Sequence, residues 1–378
     1  MKKIGCMFLS LILLFPFNLV KANDLATNAS SVIVLEPTTG EIIYERNSHE
    51  RRHPASMTKI MTMLLVVEAI EDGIINWTDI VTASENASSM GGSQILLETG
   101  EQMSVEDLFK GVAVASGNDA AVALAEKIAG TEAAFVEMMN KRAKELGLQD
   151  TNFKNPHGLD EANHYSSAYD MAMMAKELVK HEKIFEFTSI YEDYLRKGTD
   201  KAFWLVNTNK LVRFYNGVDG LKTGYTSEAG FCITATANIN DMRIITVVMG
   251  EPDSKTRNAD VTSVFDYVYS QYAIKTVVDD NTILDTVSIE KGKKDTVEIV
   301  SKEKITDLYK KTDGAQELTY DIEVNNIKAP VKIGDVVGKL TLKENNNVVK
   351  TIDLTVKEDV EKANIFELYL KYLRNYLG

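Results

Sequence analysis

The sequence predicts an α/β (α+β) domain with a mixed sheet flanked by helices, followed by a small β-rich domain and a C-terminal amphipathic helix. Strand-like apolar runs stand at both ends of residues 23–274, with helical periodicity between them. Residues 275–359 change to short segments in which apolar and polar side chains alternate. Residues 360–378 place most of their apolar side chains on one helical face. A chain of 378 residues is long enough for both domains.

Residues 1–22 have the composition of a secretory signal peptide. Lys2 and Lys3 supply a positive start, and the apolar run 7–17 is too short and interrupted for a membrane span. Small side chains near position 22 predict cleavage before Asn23, and an uncleaved anchor is the alternative. We therefore expect an exported protein at the outer face of the cytoplasmic membrane. The net charge of −13 argues against nucleic acid as a partner.

The first domain, 23–274, is predicted to build one sheet from distant parts of the chain. Strands are expected at 31–35 and 41–44, joined by a turn, and a buried strand at 244–249. The helical periodicity between them is broken at Ser116–Asn118 and at Gly130. Further helices are predicted over 105–146, 167–179 and 253–273, and loops at 91–93 and 155–160.

The segment 275–359 contains five alternating runs, predicted as strands at 286–289, 297–299, 320–324, 339–342 and 351–356. Asn345–Asn347 supplies a hairpin turn between the last two. This β-rich module carries no catalytic group of side chains, so we expect it to act as a spacer or platform.

Residues 360–378 are predicted to form an amphipathic helix that anchors the protein to a membrane surface. Its apolar side chains are large and include several tyrosines, as is typical of helices that lie in a bilayer interface. The alternatives are a helix docked on its own domain and one docked on a second copy. The apolar residues are Ile365, Phe366, Leu368, Tyr369, Leu370, Tyr372, Leu373, Tyr376 and Leu377.

The most informative stretch begins Pro54-Ala55-Ser56-Met57-Thr58-Lys59 and continues as an apolar helix to Ile70. Residues three apart share a helix face, so the Ser56 hydroxyl and the Lys59 amine are expected within hydrogen-bond reach. Burial disfavours the charged form of lysine and lowers its pKa. A neutral Lys59 can activate Ser56 as a nucleophile without histidine. Ser-x-x-Lys alone is also compatible with a helix cap followed by a surface lysine.

Two further motifs supply the context that Ser-x-x-Lys lacks. Ser116-Gly117-Asn118 lies between two helical patterns. Lys222-Thr223-Gly224 follows a predicted turn at Gly217–Gly220 and precedes the predicted strand 231–235. The three motifs in this chain order are the signature of penicillin-binding proteins and active-site serine β-lactamases.

The sequence resembles the low-molecular-mass penicillin-binding proteins that are serine-type D-alanyl-D-alanine carboxypeptidases. The resemblance rests on 54–59, 116–120, 155–159 and 218–226, and it covers nearly the whole mature chain. It implies cleavage of peptidoglycan stem peptides, covalent inhibition by β-lactam antibiotics, and no metal or organic cofactor. Some members carry histidine where this chain has Tyr225, so the pH profile of the family is not assumed to carry over.

The resemblance also implies a role for each matching residue. Ser56 would be the nucleophile and Lys59 its general base, while Ser116 would relay a proton between Lys59 or Lys222 and the leaving amine. Asn118 would bind the substrate amide. The backbone N–H groups of Ser56 and Tyr225 would form an oxyanion hole.

The other residues that match the family would bind the substrate. Lys222 would supply positive charge, Thr223 would bind the terminal carboxylate, and Gly224 would let the substrate backbone approach the strand. Arg257 would help to hold the same carboxylate, and a solvated arginine at a helix start is the alternative for it.

Other functions were weighed against the same residues. A DD-endopeptidase acting on peptide cross-links uses the same nucleophile and stays open. A class A β-lactamase also needs a glutamate for deacylation, and the sequence has no Glu-x-x-Leu-Asn between Asn118 and Lys222. A non-enzymatic wall-binding scaffold is disfavoured because every motif side chain is present. His157 is expected to organise its loop, and Cys232 to be a small buried hydrophobe.

Overall fold

The computed structural model describes residues 25–279, 282–315 and 317–377, with side chains described up to residue 373 in the last helix. The predicted signal peptide, 1–22, lies outside the described residues.

The first part of the chain forms β1 (Ser31–Glu36), β2 (Glu41–Arg46), a 3₁₀ turn (Ala55–Thr58), α1 (Lys59–Glu71), β3 (Ile80–Thr82), α2 (Glu85–Ser88), β4 (Gln102–Ser104), α3 (Val105–Ala115), α4 (Asn118–Ala129), α5 (Glu132–Glu145), α6 (Ala168–Leu178), a second 3₁₀ turn (Glu182–Ile184), α7 (Phe185–Thr188), β5 (Glu192–Leu195), β6 (Phe203–Val206), α8 (Leu211–Phe214), β7 (Val218–Thr226), β8 (Gly230–Ile239), β9 (Met242–Glu251) and α9 (Ser254–Gln271). The rest forms β10 (Tyr272–Val278), β11 (Asp285–Glu290), β12 (Thr296–Ser301), β13 (Ile305–Lys310), β14 (Leu318–Val324), β15 (Ile327–Lys328), β16 (Gly338–Glu344), β17 (Asn347–Val356) and α10 (Ile365–Leu377).

The central sheet has five strands in the order β2-β1-β9-β8-β7, so it joins both ends of the first domain as predicted. All four strand pairings are antiparallel, although the sequence indicated a mixed sheet. Short turns join β1 to β2 and β7 to β8 to β9, and a short turn between neighbouring strands requires antiparallel pairing. The predicted turn at Gly217–Gly220 is wrong, because 218–220 already belong to β7.

Helices cover both faces of this sheet, which confirms the predicted fold class. One face packs on α1, α3, α4 and α6 through residues such as Leu35 and Val247. The other face packs on α9 through Val34 and Val248. Successive side chains of a strand point to opposite faces of the sheet, so neighbouring residues pack into different hydrophobic cores. The predicted apolar face of α9, formed by Val261, Val264, Phe265 and Val268, is fully buried.

The β-rich part forms a six-stranded sheet in the order β14-β16-β17-β12-β11-β15. The predicted hairpin turn is confirmed, because Asn345 and Asn346 join β16 to β17 with φ angles of 47° and 68°. Such left-handed angles match the turn type that tight hairpins prefer and that asparagine tolerates. The alternating pattern did not reveal the β10–β13 pair, whose first strand directly follows α9.

The terminal helix starts five residues later than predicted. Val360 forms a bridge with Val331, and Lys362 forms one with Gly292, so these residues extend the β-rich module. Asn364 Oδ1 accepts a hydrogen bond from Glu367 N at 2.9 Å, and Glu367 Oε2 accepts one from Asn364 N at 2.7 Å. This reciprocal cap fixes the helix start, which periodicity alone does not reveal. Among the described residues, no helix combines the length and apolar character needed to cross a bilayer.

Candidate active site

Ser56 lies on the 3₁₀ turn that leads into α1, next to the edge strand β7. Ala55, just before it, has a φ of 47°, a left-handed angle that is uncommon for alanine. The turn is closed by a hydrogen bond from Met57 N to Pro54 O of 3.1 Å. The side chain of Ser56 is partly exposed, whereas Met57, Thr58 and Lys59 are buried. The turn therefore presents the serine hydroxyl to solvent at the edge of the sheet.

Lys59 is fully buried and has three polar neighbours. Its Nζ lies 3.1 Å from Ser56 Oγ, 2.6 Å from Asn118 Oδ1 and 2.7 Å from the carbonyl oxygen of His157. Burial, followed by the positive charge of Lys222, lowers the pKa of Lys59 well below its usual value. The neutral amine is thus favoured, and it touches the Ser56 hydroxyl as the spacing predicted.

Ser116 and Asn118 are held at the junction of α3 and α4. Ser116 ends α3 with a left-handed backbone, φ 64° and ψ 30°. Its buried hydroxyl has no hydrogen-bond partner among the described residues, which is uncommon for a buried polar group. Asn118 starts α4, accepts from Lys59, and donates from Nδ2 to Gly91 O at 2.7 Å. The predicted break between two helices thus brings both side chains to the site.

Asp119 supports this junction, a role that was not predicted from the sequence. Its buried carboxylate accepts 3.0 Å hydrogen bonds from the backbone N–H groups of Ile95 and Leu97. Asn118 N donates to Ser93 O at 2.7 Å. These contacts fix the loop 91–97 beside Lys59. The only sequence signal for this role was its position directly after Ser-Gly-Asn.

The loop 155–160 closes the other side of Lys59. Asn155 Oδ1 accepts from Gly158 N at 2.7 Å, and the His157 carbonyl faces Lys59. At Gly158, where φ is +91°, a Cβ atom would lie only 1.8 Å from Ala55 O. The imidazole of His157 is buried, with Nε2 3.6 Å from Glu132 Oε1. His157 contacts the site through its backbone, in keeping with the predicted loop-organising role.

Lys222 and Thr223 lie within β7 at the edge of the sheet, not after a turn. Lys222 is buried, and Nζ donates to the Thr223 carbonyl at 2.9 Å. Burial, with the nearby charge of Arg257, lowers the pKa of Lys222 to about 7. Thr223 Oγ1 donates to Thr208 Oγ1 at 2.8 Å. Thr208 stands in the connection between β6 and α8 and carried no sequence signal.

Gly224 is required by a close approach of the chain to itself. A Cβ atom there would lie 2.9 Å from Pro54 O and 3.2 Å from Met57 N. The side on which a Cβ would project faces the Ser56 turn, which is a different reason for glycine than the predicted approach of substrate. Tyr225 is 57% exposed, with its ring centroid 4.3 Å from that of Phe231.

Arg257, in the first turns of α9, is 4% exposed, which excludes the solvated alternative. Its guanidinium donates to Asn258 Oδ1 from Nε and Nη2, at 3.1 and 2.8 Å, and to Cys232 O from Nη1 at 3.4 Å. Burial lowers the pKa of Arg257 to about 10, far enough above neutrality for the charge to remain. Cys232 is itself fully buried, as predicted.

A buried lysine in contact with an accessible serine, at the edge of an antiparallel sheet, is the arrangement expected of an active-site serine hydrolase. Comparison with known proteins identifies the family. A family model described as D-alanyl-D-alanine carboxypeptidase matches residues 18–253, and one described as the C-terminal domain of penicillin-binding protein 5 matches 272–362. The chain is 50% identical over 359 residues to D-alanyl-D-alanine carboxypeptidase DacF of Bacillus subtilis, covering 95% of this chain and 91% of that protein.

Solved structures agree with this match. Penicillin binding protein 5 from Haemophilus influenzae is similar with a TM-score of 0.70 and 33% identity, over 89% of this chain and 98% of that one. Penicillin-binding protein D2 from Listeria monocytogenes, in an ampicillin-bound form, is similar with a TM-score of 0.58 and 30% identity, over 64% of this chain and 98% of that one. The chain belongs to the D-alanyl-D-alanine carboxypeptidase family, and it is a serine peptidase.

Proposed function

We propose that this D-Ala-D-Ala carboxypeptidase removes the terminal D-alanine from peptidoglycan pentapeptide stems through an acyl-enzyme on Ser56. The activity is inferred from the family, because relatives at up to 50% identity are named for it. The contact of 3.1 Å between the fully buried Lys59 amine and Ser56 Oγ carries the choice of nucleophile and base.

The neighbours of Lys59 support its role as the base. A neutral amine has two N–H donors and one lone pair. Asn118 Oδ1 and the His157 carbonyl, at 2.6 and 2.7 Å, can only accept, so they take up the two donors. The lone pair is then left for the Ser56 hydroxyl. Lys59 takes the hydroxyl proton while Ser56 Oγ bonds to the carbonyl carbon of the penultimate D-alanine.

The developing oxyanion is assigned to the backbone N–H groups of Ser56 and Tyr225. The close packing of Gly224 on Met57 N supports this pairing, because it brings β7 against the Ser56 turn. One such donor contributes about 10²–10³ in rate. Because both donors are backbone groups, replacing the histidine of some relatives with Tyr225 preserves the function at this position.

Ser116 is assigned to proton transfer to the leaving amine. Its buried hydroxyl lacks a partner among the described residues and is available for a substrate group. The proton that Lys59 accepted passes through Ser116 to the nitrogen of the terminal D-alanine as the C–N bond breaks. Asn118 Nδ2 has one N–H bound to Gly91 O and a second for the substrate amide.

The terminal carboxylate of the substrate is assigned to Lys222, Thr223 and Arg257. Burial, and then the nearby charge of Arg257, lower the pKa of Lys222, and an incoming carboxylate would offset both effects. Thr223 contributes a hydroxyl from the same strand. This charge arrangement supports a substrate that carries a free carboxylate next to the scissile bond.

Deacylation completes the reaction when water attacks the Ser56 ester and releases the shortened stem. A β-lactam acylates the same oxygen but keeps its leaving nitrogen attached through the ring, which blocks the approach of water. The ampicillin-bound relative supports β-lactams as covalent inhibitors. No step assigned here needs a metal or an organic cofactor.

A DD-endopeptidase would use the same nucleophile as the proposed carboxypeptidase, and the two activities differ in their substrate. The test uses the mature protein, a muropeptide ending in D-Ala-D-Ala, and a cross-linked dimer, with products read by mass spectrometry. Loss of one alanine with addition of water is the expected result. Cleavage of the dimer with the single stem untouched would replace the carboxypeptidase by an endopeptidase. Ser56→Ala should reduce turnover by about 10⁶ and abolish penicillin labelling.

The second part of the proposal is that α10 attaches the exported enzyme to the outer face of the cytoplasmic membrane. The helix turns its polar side to the β-rich sheet: Lys371 Nζ donates to Lys294 O at 2.9 Å and pairs with Asp295 at 2.6 Å. Of its described apolar side chains, Ile365, Phe366, Tyr369 and Tyr372 are well exposed, with Ile365 at 88% and Tyr372 at 81%. An outward apolar face with aromatic side chains suits a bilayer interface.

The point at which α10 begins defines how attachment should be tested. A cut before Val360 would remove buried residues of the β-rich module, so truncation belongs after Ala363. Co-sedimentation with phospholipid vesicles should be lost on truncation and reduced by the pair Phe366→Glu and Tyr372→Glu. Ile333→Glu, at a 63% exposed apolar side chain elsewhere, is the matched control. Equal binding of all forms would refute the anchor.

A further inference from the structure

A cavity of about 720 Å³ lies between the first domain and the β-rich module. Its walls come from the β1–β2 turn, the end of α6 and the β8–β9 turn on one side, and from 302–304 and Lys350 on the other. None of the proposed catalytic or substrate-binding residues lines it. Its volume is typical of sites for small ligands. We call it the interdomain cavity.

The interdomain cavity is basic in an acidic protein. Three acidic side chains line it, against six basic ones, while the whole chain has a net charge of −13. Charges of one sign in a concave site focus the field and attract ions of the opposite sign. The basic residues are Lys176, Lys180, Arg243, Lys302, Lys304 and Lys350.

Three of these six cations have no ion-pair partner among the described residues. Arg243 pairs with Asp219 at 2.8 Å, Lys180 with Glu177 at 2.5 Å, and Lys350 with Glu303 at 2.9 Å. By contrast, no carboxylate of the described residues lies within ion-pair distance of Lys176, Lys302 or Lys304. These three lysines come from both sides of the cavity.

Lys176 is a cavity lysine whose surroundings disfavour its charged form. It is half-buried at the end of α6, and its Nζ lies only 3.0 Å from the position that a Cβ of Gly40 would occupy. Burial, and then the positive charges of Lys180 and Lys350, lower the pKa of Lys176 against the smaller opposing effects of Glu303 and Glu36. A bound anion would offset both the desolvation and the repulsion.

We propose that the interdomain cavity binds a ligand that carries two or more phosphate groups, and that this ligand links the two domains. Phosphate concentrates more than one negative charge on a single group, which suits converging lysines of which three have no ion-pair partner among the described residues. Lysine binds phosphate as a point charge on a flexible stem, so lysines from separate segments can reach one ligand. The source is either a phospholipid headgroup or a soluble phosphate ester.

Titration calorimetry of the full chain with tripolyphosphate, at physiological ionic strength, tests the proposal. We expect saturable binding that Lys176→Gln weakens about tenfold, the effect of one charge-assisted contact. The pair Lys302→Gln and Lys304→Gln should weaken it at least as much, because the ligand contacts both domains. The control pair Lys328→Gln and Lys332→Gln removes the same charge from exposed lysines elsewhere and should bind like the parent.

Two further readouts make the result specific. Thermal unfolding without probe checks that each variant is folded, and with probe it should show a rise in the melting temperature that the cavity variants lose. Phosphatidylcholine vesicles containing cardiolipin displace the probe if a headgroup is the source and leave it bound if a soluble ester is. Absence of saturable binding to the parent, or equal losses in control and cavity variants, would overturn the proposal.

Discussion

Substitution of Gly224 by alanine should slow acylation of Ser56 without touching a catalytic side chain. A Cβ at this position would lie 2.9 Å from Pro54 O, 3.1 Å from Ala55 Cβ and 3.2 Å from Met57 N. All three atoms belong to the turn that carries Ser56. Because two of them are backbone atoms, the contact cannot be relieved by rotating a side chain. The turn and β7 must therefore move apart.

The size of the effect follows from these distances. Restoring an ordinary carbon–oxygen contact of about 3.5 Å requires a displacement of roughly half an ångström. A misplacement of about 1 Å costs about 10²-fold in rate, so roughly tenfold is expected for half that distance. The same crowding should lower the free energy of unfolding by about 1–3 kcal/mol.

The assay is the second-order rate constant for labelling of Ser56 by a fluorescent penicillin, with thermal unfolding measured in parallel. Gly91→Ala is the matched control, because Gly91 also borders the site but has open space where its Cβ would project. Alanine there keeps the carbonyl that accepts from Asn118. Parental acylation by Gly224→Ala, or an equal loss in Gly91→Ala, would show that strand and turn are not coupled as argued.

Three other substitutions test the proton and charge assignments. Asn118→Asp places a carboxylate beside Lys59 and should raise its pKa by about 1–3 units, so that penicillin labelling at neutral pH falls about 10–1000-fold and recovers at alkaline pH. Ser116→Ala should slow peptide cleavage more than labelling by penicillin, since the proton is delivered to the departing D-alanine, and equal effects would contradict the relay. Lys222 has a lowered pKa in the folded protein, so above about pH 7 the unfolded chain binds more protons than the folded one. The free energy of unfolding should therefore rise with pH from there towards about 10. Lys222→Met should remove up to about 1.4 kcal/mol per pH unit of that rise in chemical denaturation.

The sequence was informative about this site wherever the chemistry is local. Ser56 and Lys59 are three residues apart on one turn, so their contact follows from helix geometry. The break at Ser116–Asn118 was visible because helical periodicity stops and restarts there. In both places, the functional contact and the secondary structure depend on the same few residues.

Contacts between distant segments were not predictable. The His157 carbonyl reaches Lys59 across 98 residues, and backbone carbonyls leave no mark on sequence. Thr208 meets Thr223 because a loop returns to the edge strand. Gly224 was recognised as a motif residue, but the reason for a glycine there is that β7 packs closely on the turn that carries Ser56. The same limit applies to the interdomain cavity, whose lysines come from segments far apart in the chain.

The proposed role of Lys59 as the base requires surroundings that select the neutral form of its amine. A protonated Lys59 would have a third N–H, directed at Ser56 Oγ, and no lone pair to accept the serine proton. The two carbonyl-type acceptors do not disfavour that form, so the selection must come from burial and from the charge of Lys222, in that order. Lys59 itself is fully inaccessible, as are Ile60, Met61, Met63 and Leu64, which follow it in α1. The apolar run after the Ser-x-x-Lys motif thus places the start of α1 in the core, where the charged form of a lysine is disfavoured.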